Sequence, residues 1–196
     1  PPLVVRGPVG AGKSALIANW LLELARPEAG GPIFVYAVGA TETAIRWESM
    51  LIRFIIWARD ALGFQGEIPD EREPEELLIT FQRSLRTAAD KVRPLLLLDG
   101  VSELSGSEGI PCLCWLPEDI PENVRVVLTA RDDSDVLAET RRRGWPELPV
   151  VPLSQQERKM LINGALARAG RRLSEDDLMQ IVMADRTQVP LYIRIL

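Results

Sequence analysis

Histidine is missing from this chain, and only two cysteines, Cys112 and Cys114, stand among its 196 residues. Without an imidazole, no Ser-His or Cys-His nucleophilic mechanism can be assembled within it. A lone Cys-x-Cys pair supplies too few ligands for structural zinc, which takes four. Its spacing also suits a bridge poorly, so two reduced, partly buried thiols in a cytoplasmic protein are expected. No apolar run is long enough to span a bilayer, and no cleavable leader opens the sequence. A membrane partner is therefore not expected. Basic charge is short as well: 23 Lys and Arg face 28 Asp and Glu, for a net charge of −5. With a pI near 5.0, the charge balance weighs against nucleic acid as a partner.

What is present is typical of a globular α/β protein, 46% hydrophobic and 26% charged, long enough for one such domain with a small appendage. The sequence starts at Pro1-Pro2 directly on an apolar strand and stops inside the run Leu191-Tyr192-Ile193-Arg194-Ile195-Leu196. Both ends suggest a piece of a larger protein.

One motif dominates. Gly7-Pro8-Val9-Gly10-Ala11-Gly12-Lys13-Ser14 is a complete G-x-x-x-x-G-K-S phosphate-binding loop between the apolar strand Leu3-Val4-Val5 and an apolar helix. Glycines let the backbone curl so that successive N–H groups form an anion nest at the helix start. The expected nucleotide-binding segment is Gly7 to Ser14 with the following Ala15. Lys13 brings a positive charge to the β and γ phosphates, and the Ser14 hydroxyl is a ligand for Mg²⁺.

Leu95-Leu96-Leu97-Leu98-Asp99 is an apolar strand ending in an acid, the expected second half of such a site. Its tip is expected beside the P-loop strand, with Asp99 supporting Mg²⁺. A solvated acid at a strand end is the alternative. Glu103, four residues on, is the candidate to polarise an attacking water, although a plain loop acid fits too. Thr129-Ala130-Arg131 ends the next strand; Thr129 is placed to meet the γ-phosphate or water. Arg131 is the candidate to sense γ-phosphate charge, which its planar guanidinium fork matches. An exposed Arg at the next helix start is the plainer alternative. Arg141-Arg142-Arg143 is expected to be a solvated helix end that favours the dipole.

Around these motifs the apolar spacing predicts a largely buried helix over Ser14–Arg26 and a strand over Ile33–Val38. A second helix presents Met50, Leu51, Phe54, Ile55, Ala58 and Leu62. A third starts at Pro74 and carries Leu77, Phe81, Leu85, Ala88 and Val92. Trp47 and Trp57 are expected to pack rather than stack on a base. Beyond a loop anchored by Trp115 and Leu116 come a strand at Val124–Thr129, a short helix at Asp132–Arg143, and a last strand at Val150-Val151. After Pro152-Leu153 only helices follow, two of them opened by Ser154-x-x-Glu157 and Ser174-x-x-Asp177 capping patterns. The expected fold is α/β: a P-loop NTPase with a parallel sheet flanked by helices over 1–152, then a small all-α helical domain over 153–196.

Together, Gly7 to Ser14, Val38-Gly39-Ala40-Thr41, Leu95 to Leu104 and Leu128-Thr129-Ala130-Arg131 resemble STAND-class signalling ATPases. Within that class the chain is most similar to the NACHT-related branch found in nephrocystin and telomerase-associated proteins. The closing Gln188-Val189-Pro190-Leu191-Tyr192-Ile193-Arg194-Ile195-Leu196 resembles that branch's proline-containing helical motif. The resemblance implies an ATP/ADP switch with Mg²⁺, slow hydrolysis and self-association of a larger protein whose sensor and effector domains lie elsewhere. It implies Arg131 as sensor and Pro190 near the base or sugar. The family often carries a second acid where this chain has Ser102, which argues against brisk hydrolysis. A nucleotide-binding regulatory module with negligible turnover is the second reading. A GTPase lacks support, because no Asn-Lys-x-Asp motif is present.

Overall fold

The computed structural model describes residues 1–24, 31–104 and 113–195. Among them are strands β1 (Leu3–Arg6), β2 (Ile33–Ala37), β3 (Leu95–Asp99), β4 (Arg125–Ala130) and β5 (Glu147–Pro149). The helices are α1 (Lys13–Leu24), α2 (Trp47–Leu62), α3 (Pro74–Lys91), α4 (Asp135–Arg142), α5 (Gln155–Arg168), α6 (Glu175–Met183) and α7 (Pro190–Ile195). The sheet runs β2-β3-β4-β1-β5 and every pair is parallel. This is the expected α/β architecture, with helical segments as crossovers between parallel strands.

Strand order departs from expectation in one respect that matters for the site. β3 does not border β1; β4 lies between them. All residues of β4 from Val126 to Ala130 are buried, so this strand fills an interior position as well as the four-leucine strand does. Apolar content marks both as central, but it does not order them.

Most of the core lies on one sheet face. Val4, Phe34, Tyr36, Leu96, Leu98, Val126 and Leu128 pack there against α2 and α3 residues including Met50, Phe54, Ile55, Leu77, Phe81 and Leu85. Phe54 meets Phe34 and Phe81 edge-on, with ring centres 5.1 and 5.0 Å apart, and each such buried side chain contributes ~1.5–3 kcal/mol. Trp47 is buried and Trp57 packs on Phe34 and Phe54, as expected.

The opposite face is thinner. Val5, Leu97 and Val127 pack against Ile17, the one buried residue of α1. The expectation of a largely buried first helix therefore fails: Leu16 and Leu22 are exposed, and so is Val35 on the same side of the sheet. A helix apolar nearly all round needs neighbours on both flanks, and among the described residues the apolar side of α1 packs on the sheet and Val150. Its expected last residues, Ala25 and Arg26, lie outside the described residues.

The final strand also shifts. It is Glu147–Pro149, paired with β1, while Val151 is exposed; the apolar Val150-Val151 pair follows the strand. Beyond it, Ile162, Leu178, Val182 and Ile193 form a separate apolar cluster among α5, α6 and α7. Both capping patterns form: Ser154 and Glu157 make a reciprocal box, and Ser174 accepts the Asp177 amide. Inside this cluster the buried Arg158 guanidinium donates to the Val182 carbonyl at 2.5 Å, tying α5 to the end of α6.

Candidate functional site

The register aligns the carboxyl ends of the central strands. Val5 pairs with Thr129, Leu98 with Leu128, and Ala37 with Asp99. Ligands in open α/β sheets bind in the crevice outside these ends. Here a cleft of about 300 Å³ opens, at the small end of the ~300–1,000 Å³ usual for ligand pockets. Val9, Gly10, Gly12, Lys13, Ser14 and Ala15 form one wall; Asp99, Glu103, Thr129 and Arg131 line the other. Pro190, Leu191 and Arg194 of α7 close over the loop.

Gly7, Pro8 and Ala11 form the back of the loop rather than the cleft wall. The Lys13 ammonium donates to the Gly7 and Pro8 carbonyls at 2.8 and 2.9 Å, and the Ala11 amide donates to the Pro8 carbonyl. Lys13 thus spends two of its three donors on its own loop. Burial lowers its pKa; Asp132, Asp99 and Glu103 oppose that shift, and Arg131 adds to it. All three acids and the arginine thus act electrostatically on the ammonium.

Gly10 is needed twice over. Its φ of 77° is left-handed, which costs a side-chain-bearing residue energy. A Cβ there would also sit 2.6 Å from Leu191 Cβ. The Leu191 amide donates to the Gly10 carbonyl at 3.3 Å, and Pro190 lies against Gly12, 3.7 Å from where a Cβ would stand. Pro190 therefore packs on the glycine turn itself.

Asp99 and the P-loop are separated by the width of β4. Two strand spacings, about 10 Å, stand between β3 and β1, which corrects the expectation that Asp99 ends beside the P-loop strand. Thr129 fills the gap. It is 1% exposed, donates to Asp99 Oδ1 at 2.6 Å and accepts the Gly100 amide at 2.7 Å. Glu103 follows on a short 3-10 turn, Val101–Glu103, reached through Gly100 at a φ of 77°. Its Oε2 lies 3.8 Å from the position a Cβ would take at Gly39, beyond the end of β2.

Two groups that sequence reasoning did not place in the cleft line it. Ser102 accepts the Arg131 amide at 2.9 Å and donates to Ser134 Oγ at 3.0 Å. Arg194 stands four residues after Pro190, so one helical turn sets both on the same face; that spacing was the available signal. The Arg131 side chain is partly exposed and pairs with Asp133 at 3.4 Å.

The arginine run meets the expectation in part: Arg141 and Arg142 are exposed in the last turn of α4, as expected, and Arg143 is not. Arg141 pairs with Glu147, and Arg142 with Glu118 and Glu139. Arg143, whose side chain is 8% exposed, pairs with Glu139 and donates to the Leu116 and Leu113 carbonyls. It is a buried staple under the 113–116 turn, anchored as expected by the buried Trp115 and Leu116. Cys114 is free and half-buried, and burial raises its pKa; Cys112 lies outside the described residues. Among the described residues, no helix is long and apolar enough to cross a membrane.

No family model matches the chain. It is 27% identical over 207 residues to telomerase protein component 1 of Mus musculus, covering 98% of this chain and 8% of that protein. It is 26% identical over 187 residues to nephrocystin-3 of Xenopus tropicalis, covering 90% and 13% respectively. The chain spans between 8% and 14% of the length of the curated relatives it matches. Among solved structures it is similar to the Walker-type ATPase PABY2304 of Pyrococcus abyssi, with a TM-score of 0.61 and 16% identity over 98% of this chain and 60% of that one. The fold is the α/β P-loop NTPase fold.

Proposed function

We propose that the cleft binds ATP and ADP and that the chain is the nucleotide-operated core of a STAND-type, NACHT-like signalling ATPase. The observation that carries this reading is the meeting of Lys13, Asp99, Thr129 and Arg131 in one cleft at the sheet's carboxyl edge. They come from the ends of three different strands. Backbone amides of Gly7 to Ala15 cradle the phosphates, and Lys13 neutralises them. Arg131 contacts the γ-phosphate, and Pro190 covers the nucleotide from α7.

The oxygen donors Ser14 and Asp99 fit a hard divalent cation. With Asp99 Oδ1 engaged by Thr129, its other oxygen is the one for Mg²⁺ or a water bound to it. Mg²⁺ would supply charge neutralisation across the β and γ phosphates. Glu103 is the candidate to orient the attacking water; its place one 3-10 turn beyond Asp99, with Ser102 between, supports slow turnover. Residues 153–196 form the helical domain of a larger cytoplasmic protein, and nucleotide exchange controls its self-association. The likeness to telomerase protein component 1 and nephrocystin-3 supports this reading, as does the order of the motifs. A regulatory module that keeps nucleotide with negligible hydrolysis is the second reading, favoured by the absence of an acid at Ser102.

Lys13→Ala tests the core of the proposal. Losing a charge-assisted hydrogen bond costs ~1.5–3 kcal/mol, or about 10- to 150-fold in affinity. Titration calorimetry should register that loss for ATP. Unchanged affinity would remove the P-loop from the account, and a phosphate-release assay separates slow hydrolysis from none.

A further inference from the structure

We infer that the Ser102 and Ser134 hydroxyls are a positioning device for Arg131, holding the γ-phosphate-reading arginine in register with the metal-side turn. The inference rests on the nucleotide-binding reading and adds to it a role for two residues outside the P-loop. Both main-chain polar groups of Arg131 are clasped. Its amide donates to Ser102 Oγ at 2.9 Å, and its carbonyl accepts from Ser134 Oγ at 2.7 Å. The two hydroxyls are joined by the Ser102-to-Ser134 hydrogen bond at 3.0 Å. Ser134 is also the N-cap of α4, accepting the Leu137 amide at 3.3 Å.

Each hydroxyl uses its donor once, and the chain of bonds has one direction: Arg131 amide to Ser102, Ser102 to Ser134, Ser134 to the Arg131 carbonyl. Ser102 sits on the 3-10 turn that follows Asp99 and Gly100, so this loop of bonds ties the turn after β3 to the loop after β4. Thr129 makes the parallel tie one step lower, to Asp99 and to the Gly100 amide. The two ties fix the carboxylate and the arginine relative to each other across neighbouring strands. A carboxylate at position 102 could accept the Arg131 amide, but it could not donate to Ser134. It would also set a negative charge beside the phosphates that Arg131 reads. The serine is thus a fitted part of the sensor.

The test is the ATP-over-ADP affinity ratio, measured by calorimetry with Mg²⁺ on wild type, Arg131→Ala, Ser102→Ala, Ser102→Thr and Ser134→Ala. Ser102→Ala should lower the ratio by about 3- to 10-fold, the size of one neutral hydrogen bond, with ADP affinity nearly unchanged. Ser102→Thr, which keeps the hydroxyl, should restore it, and Ser134→Ala should lower it too. The Ser134→Ala arm decides the matter if Ser102→Ala does not fold. A ratio that collapses in Arg131→Ala but stays at wild type in both serine variants overturns the positioning role and leaves the nucleotide site standing. A ratio unmoved by Arg131→Ala overturns the sensor and the positioning role together. Equal loss of ATP and ADP in Ser102→Ala, unrescued by threonine, would make the serine a merely structural residue and overturn the inference.

Discussion

Thr129 Oγ1 donates to Asp99 Oδ1 at 2.6 Å while accepting the Gly100 amide at 2.7 Å, so one buried hydroxyl fixes the acid and the turn behind it. Thr129→Val keeps the shape and deletes both bonds. The Gly100 amide loses its acceptor, which costs ~1–3 kcal/mol where water cannot enter, while the Asp99 carboxylate lines the open cleft and regains a partner from solvent. The expected outcome is destabilisation by ~1–3 kcal/mol in urea unfolding, with Thr129→Ser close to wild type. A valine variant as stable as the parent would show that water replaces the hydroxyl.

The strand ends explain how much of this site was legible beforehand. The P-loop, Asp99, Thr129 and Arg131 were found because each is a local pattern: an apolar strand followed by a fixed polar residue. Strand order is not local. Nothing in Leu95–Asp99 or Val126–Ala130 tells which borders β1, and so the intervening β4 and the bridging work of Thr129 became visible only in three dimensions. The same holds for Ser102, whose value comes from Ser134, 32 residues away. Arg143 looked like one of three surface arginines, since its carbonyl partners at Leu113 and Leu116 lie in a turn with no pattern of its own. The burial of α1 was overestimated for a related reason: composition shows that a helix could be buried, but not what covers it.

Glu139 should make the fold sensitive to acid. Hydrogen bonds from Arg142 and then Arg143 hold its carboxyl down at about 2, from an ordinary 4.5. A depressed carboxylate binds its proton more weakly in the folded state than in the unfolded state. Its stabilisation is therefore complete above pH 4.5 and fades as pH falls toward 2. Glu147 and Glu157 are lowered too, so the slope belongs to several groups and a difference is needed. Stability curves of wild type and Glu139→Gln should stand apart at pH 7 and converge between about pH 4.5 and 2. A constant gap across that window would show that Glu139 does not titrate against the arginines. Arg143→Ala should be the costlier change at pH 7, because it also strips the Leu113 and Leu116 carbonyls of their donor.

The last expectation concerns Arg194, the cation that α7 brings to the cleft. Lys13 and Arg131 line the cleft from the sheet side; Arg194 lines it from the helical segment, held there by Pro190 against Gly12 and by the Leu191 amide on Gly10. Ile193, on the same short helix, is buried in the cluster formed with α5 and α6, so α7 cannot shift without disturbing that cluster. Phosphate charge in the cleft would therefore pull on the whole helical segment through this guanidinium. Because Arg194 is exposed, solvent screens it, and a contribution of ~0.2–1 kcal/mol is the appropriate scale. Arg194→Ala should weaken ATP binding by about 1.5- to 5-fold at low salt, with the deficit shrinking as ionic strength rises and the Debye length contracts. Arg194→Glu should weaken it further, since repulsion replaces attraction. Calorimetric titrations at two salt concentrations distinguish these cases. An Arg194→Glu variant that binds ATP as wild type does at low salt would place this side chain outside the phosphate field.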